Sequence, residues 1–99
     1  MPLTAGVLYT VPALTRTMLK DIDISNTTAG ALNATVYLVP SGGTAGPTNV
    51  LVPGIAVQPA AFGGMFQWSG THVMNAGDTI QVMGSGAGLT VTASGGEAV

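Results

Sequence analysis

Apolar side chains along this chain recur at every second position, and nowhere over about ten residues do they keep the 3.6-residue interval of an amphipathic helix. Short runs rich in Val, Ile, Thr and aromatics, at residues 7–11, 15–25, 34–39, 50–52, 55–57, 60–68, 72–74, 79–83 and 89–93, are punctuated by Gly, Pro, Asn and Asp clusters. Regularly spaced strands separated by turn residues predict an all-β fold, an antiparallel β-sandwich or jelly-roll-like domain of about eight short strands.

Within the second run, Met18, Ile22 and Ile24 share one parity and Thr17, Leu19, Asp21 and Asp23 the other, which predicts a strand with the first set on the core and the two aspartates outside. Pro40, Pro47 and the glycines between them mark a long hairpin loop. Pro53 and Gly54 interrupt an apolar run in the manner of an edge strand with a bulge. Asn75, Ala76, Gly77 and Asp78 have the composition of a tight β-turn joining the runs on either side. In the run 60–68, Met65 and Gln67 alternate with Phe66 and Trp68, so one of the two sets faces outward and an apolar residue is exposed in either register.

Length allows a single domain spanning 1–99, with flexible ends at 1–5 and 95–99, where the tail is polar and glycine-rich. Charge changes the picture more. Only 6% of the residues are charged, against a hydrophobic fraction of 46%, and the formal net charge is −2. A soluble monomer normally carries about 25–35% charged residues on its surface, so a surface of Thr, Ser, Gly, Ala and Asn predicts a subunit that is covered by neighbours. Arg16 and Lys20 are the only basic side chains, too few to neutralise nucleic-acid phosphates or to hold an anionic membrane surface. No apolar run approaches the ~20 residues that span a bilayer, and the N-terminus has no basic segment of a signal peptide. The expected partners therefore exclude nucleic acid and membrane.

Four carboxylates, one histidine and no cysteine leave little chemistry to assign. Asp21 and Asp23 project to one side of a strand, but a hard cation needs about six oxygen ligands and no third carboxylate is near in sequence. His72 has no acid closer in sequence than Asp78, beyond a turn, and no activated nucleophile. The glycines around Gly84 are followed by neither the Lys-Ser/Thr pair nor the helix of a phosphate loop. The expectation is a protein that is not an enzyme, with no catalytic, cofactor or metal site. Its candidate functional residues are a partner interface of Met65, Phe66, Trp68 and His72. The aromatics Phe62, Phe66 and Trp68, with Gln67, His72 and Asn75 as polar neighbours, carry the alternative of a sugar-stacking platform, a carbohydrate-binding adhesion module.

The segments GVLYTVPA, DIDISNTTAGALNATVYLVPSGGTA, QWSGTHVMNAGDTIQV and TVTASG resemble the small β-sandwich virion proteins encoded beside head and tail genes of tailed bacteriophages, a resemblance that covers about residues 8–94. The turn that in such proteins reads Pro-Ala-Gly after the first strand stands here as Pro12-Ala13-Leu14. The resemblance implies a virion structural protein, assembled in the host cytoplasm: a capsid decoration or cement subunit on the major capsid protein, or alternatively a tail or head-fibre subunit. It also implies a homo-oligomer, with a trimer as the expected form. The absence of a coiled-coil stalk or fibre repeat favours head decoration over a fibre.

Overall fold

The computed structural model describes residues 4, 6–86 and 88–98. Among these, seven strands follow one another: β1 (Gly6–Thr10), β2 (Arg16–Asn26), β3 (Leu32–Val39), β4 (Val50–Val57), β5 (Met65–Met74), β6 (Thr79–Gly84) and β7 (Leu89–Ala98). A single turn of 3₁₀ helix, Ala60–Phe62, precedes β5. The strand count falls below eight because the runs within 50–57 merge into β4, and those at 65–68 and 72–74 into β5.

Every pairing is antiparallel, in a four-stranded sheet ordered β1-β6-β3-β4 and a three-stranded sheet ordered β5-β2-β7. The pairs nest: β3 with β4, β2 with β5 around them, β1 with β6 outside both. That nesting is the winding of a jelly roll, a long hairpin rolled so that successive pairs fall on alternate sheets. β7 lies outside the nest, added to the free side of β2.

The inner faces of both sheets supply one core, with Leu19, Ile22 and Ile24 of β2 meeting Ala34 and Val36 of β3, Val52 and Val57 of β4 and Ile80 and Val82 of β6. Ile22, Ile24, Ala34 and Val36 have no accessible surface. β-branched residues dominate because their stiff side chains stand off a pleated surface and interdigitate with the facing sheet.

Three expectations are met by the backbone. Residues 40–49 connect the β3–β4 hairpin, β4 is an edge strand, and Pro53 with Gly54 forms a bulge opposite Thr35, where the register shifts between Ala34 and Val36. Two others are corrected. The inner face of β2 is not one parity: Thr17 and Leu19 are buried, then Ile22, Ile24 and Asn26, while Met18 points outward. The register against both neighbours breaks between Leu19 and Asp21, so one extra step at Lys20 flips the side-chain alternation. The Asn75–Asp78 turn also exists, closed by the Asp78 N–H on the Asn75 carbonyl at 3.0 Å, but it carries the chain from one sheet to the other and joins no paired strands.

Of the ends read as flexible, residues 1–3, 5 and 99 lie outside the described residues, whereas Gly95, Gly96, Glu97 and Ala98 belong to β7, opposite Leu19, Met18, Thr17 and Arg16.

Candidate functional site

The four residues read as a partner interface all lie on β5, a free edge of the three-stranded sheet. Two polar anchors fix that strand in place. At its start, the buried side chain of Asn26 donates to the carbonyls of Gly30 (2.9 Å) and Val57 (3.0 Å) and accepts from the Thr28 N–H (2.9 Å) and hydroxyl (2.7 Å). Both amide hydrogens and both lone pairs are thereby used, so a polar group at a core position carries no desolvation debt. The Asn26 N–H donates to the Gly64 carbonyl at 2.6 Å, fixing the point where β5 begins. Gly64 is required there: its φ is +49°, and a Cβ would lie 2.7 Å from the Asn26 carbonyl oxygen and 2.9 Å from the Ala60 Cα.

Where β5 ends, the Asp78 carboxylate accepts from the Asn75 N–H (2.9 Å) and the Ser41 N–H (3.0 Å). Val11 adds a two-way backbone contact, donating to the Asp78 carbonyl at 2.9 Å and accepting from Gly77 at 3.0 Å. One aspartate thus ties three loops together.

Between these anchors the alternation of β5 resolves the register. Phe66 and Trp68 are half-buried against the core, opposite Ile24 and Ile22, while Met65, Gln67 and Ser69 face outward. Met65 is 60% exposed. His72 is exposed and its ring stacks on Trp68, with centroids 5.4 Å apart and planes inclined by 29°. Four residues of extended strand span about 13 Å, so the stack needs a kink. It comes at Gly70 and Thr71, the extra step that β5 makes between the positions facing Asp21 and Leu19. A Cβ on Gly70 would sit 3.2 Å from the Trp68 ring, so the indole lies over that glycine. Lys20 Nζ donates to the Thr71 hydroxyl at 3.1 Å, and Gln67 Nε2 to both oxygens of Asp21 at 3.3 Å.

Met65, Phe66, Trp68 and His72 therefore share a strand but not a face: Met65 points away from the core and the other three lie on the inner side. Phe62, 77% exposed in the 3₁₀ turn, and Val73, 58% exposed, add apolar surface that the sequence reading left out of the interface. Val73 keeps the outward parity of Met65 and Gln67 across the kink and faces out beside Met18. Phe62 falls in the single 3₁₀ turn that the run 60–68 concealed, ahead of Gly63 in the left-handed region.

Opposite β5, the edges of β1 and β7 border an open groove of about 510 Å³ lined by Leu8, Tyr9, Leu19, Ile80 and Ala93 among others. The Tyr9 hydroxyl bridges the sheets there, donating to the Glu97 carboxylate and sharing a 2.8 Å hydrogen bond with Thr17 Oγ1. Burial, reinforced by the Glu97 contact, raises the phenol above its ordinary pKa. Among the described residues, no three His, Cys, Asp or Glu side chains come together as metal ligands, and no helix is long and apolar enough to cross a membrane. No family model matches the chain, and no curated protein or solved structure matches it either.

Proposed function

We propose that this protein is a non-enzymatic structural subunit of a bacteriophage virion, a capsid decoration or cement protein that packs on the major capsid shell. The observation that carries the reading is a β-sandwich with six charged residues in 99 whose edge presents apolar side chains, Met65 and Val73 on β5 and Phe62 just before it. Such an edge loses little when desolvated and gains apolar contact, the balance that favours lateral packing in a particle. The position on the head, as against a tail or head fibre, rests on the resemblance in sequence and on the absence of a stalk repeat.

The test replaces the outward-facing Met65 and Val73 separately by alanine, checks folding by circular dichroism, and measures occupancy on particles lacking the protein. An interface anchor typically contributes ~2 kcal/mol, so each folded variant is expected to bind about thirtyfold more weakly. Two folded variants that load as well as the parent overturn the β5 interface.

The stacked Trp68–His72 pair favours carbohydrate binding as a second reading, because a flat aromatic ledge suits a sugar ring. Normal particle loading by Trp68→Ala together with loss of glycan-array binding would replace the structural reading by that one.

A further inference from the structure

Among the strands of the described residues, four edges pair with no other strand, those of β1 and β4 in one sheet and of β5 and β7 in the other. Unpaired edges recruit further strands unless they are short, bulged, or guarded by Pro or Lys. Three of the four are blunted: β4 by Pro53 and its bulge, β5 by the kink at Gly70 and Thr71, and β1 by its five-residue length and a register shift between Val7 and Tyr9. β7 has none of these devices. It runs for ten residues without Pro, Lys or Arg, and pairs with β2 without a break from Leu89 to Ser94, because the extra residue at the bulge belongs to β2.

The two sides of that run differ. Thr90, Thr92 and Ser94 point outward and are exposed, while Val91 and Ala93 point inward and are half-buried. Inside them lie the 510 Å³ groove and a second of about 360 Å³ lined by Val7, Leu8, Val82 and Val91 among others, so that among the described residues the edge borders open, partly apolar surface.

We propose that β7 pairs antiparallel with β7 of a second copy about a two-fold axis at Thr92, joining two three-stranded sheets into one of six strands. Charge argues for a copy of this chain as the occupant. Glu97 is the only charge on β7, five residues from the axis, so the two carboxylates stand about 33 Å apart, beyond the screening length at physiological salt. A strand of another protein would find no charge in the run from Thr90 to Ser94 to recognise, whereas a second copy sets Thr92 against Thr92, Thr90 against Ser94 and Val91 against Ala93. Hydroxyls then meet outside and small apolar groups inside, a pattern that stabilises cross-strand pairs. An isologous contact consumes the same edge on both copies and closes as a dimer, in place of the trimer that the family resemblance implies. The pairing rests on the assembly role proposed above.

Light scattering at high micromolar concentration is expected to give a dimer for the parent. Thr92→Lys places two ammonium groups opposite each other across the axis, while within its own sheet the new lysine faces Asp23 and is tolerated. Its dissociation constant is expected to rise at least about tenfold, with an unchanged circular dichroism spectrum. The chain has no cysteine, so register is read independently by crosslinking under oxidised glutathione. Thr92→Cys is expected to crosslink with itself, Thr90→Cys alone to stay uncrosslinked, and Thr90→Cys mixed with Ser94→Cys to crosslink. A parent that is a monomer or a trimer, a Thr92→Lys protein whose dimer dissociation constant is unchanged, or crosslinking of Thr90→Cys alone overturns the pairing. Particle loading of the same proteins reads the assembly role separately, so either idea can fail without the other.

Discussion

Leu14 occupies the third position of the tight turn Pro12–Thr15 with φ +59°, the one non-glycine residue in the left-handed region among those described. A side chain there brings Cβ against the following carbonyl, at a cost of roughly 1–2 kcal/mol, and Leu14 recovers nothing by burial because it is 90% exposed. Glycine removes the strain and gives back about 0.5–1 kcal/mol through its freedom in the unfolded chain. Leu14→Gly is therefore expected to stabilise the protein by about 0.5–1 kcal/mol and raise the melting temperature by about 4 °C, read by calorimetry. An unchanged or lower melting temperature would show that the leucine makes a contact worth its strain. Asn26 illustrates the opposite economy at the same scale: its polar group sits at an inward strand position, and four hydrogen bonds make that placement stable.

At the scale of elements, the decisive feature is the bulge of β2. Period-two reasoning placed Met18 beside Ile22 and Ile24 because alternation is a local rule, and no local signal at Lys20 marks the extra residue. The residue that does mark it lies 75 positions later: Gly95, opposite Leu19, where an added Cβ would overlap the Met18 carbonyl oxygen and lie 3.2 Å from the Leu19 Cα. Backbone cannot yield as a side chain can, so Gly95→Ala is expected to cost about 2–3 kcal/mol by forcing β7 off β2. Gly96→Ala, with nothing within 4 Å of its Cβ, is the control and is expected to shift stability by less than about 1 kcal/mol. Equal melting temperatures for the two variants would deny the close approach. What was legible, then, was whatever depends on neighbouring residues: the 40–49 hairpin loop, the Pro53-Gly54 bulge on an edge, the Asn75–Asp78 turn, and the alternation of Met65 and Gln67 with Phe66 and Trp68. The sheet change at Asp78 and the Trp68–His72 stack were not, because the first depends on loops brought from β1 and β3 and the second on a kink that only pairing with β2 reveals.

At the scale of the whole molecule, the nested winding leaves the sheets joined by core packing and by few polar contacts between them. At the β1–β7 side the sandwich is open, and there the Tyr9 hydroxyl, on one sheet, reaches Thr17 and Glu97 on the other. Burial and the neighbouring carboxylate both disfavour the phenolate, so the phenol titrates above its ordinary value of 10.0 in the folded protein. Between the unfolded and folded pKa values the native state keeps a proton that the unfolded chain has released, and raising the pH there favours unfolding. The contribution of this contact is complete below about pH 10 and is lost as the pH climbs through the raised value. Melting temperature measured from pH 8 to 11.5 is thus expected to fall more steeply above pH 10 in the parent than in Tyr9→Phe, which lacks the proton and the hydrogen bonds from the outset. At pH 8 Tyr9→Phe melts lower because Glu97 and Thr17 lose their partner, a cost of about 1 kcal/mol. Curves that run parallel across the whole range would mean that Tyr9 does not hold the two sheets together. Curves that converge as the phenol ionises would locate the clamp of the open edge in that one hydroxyl.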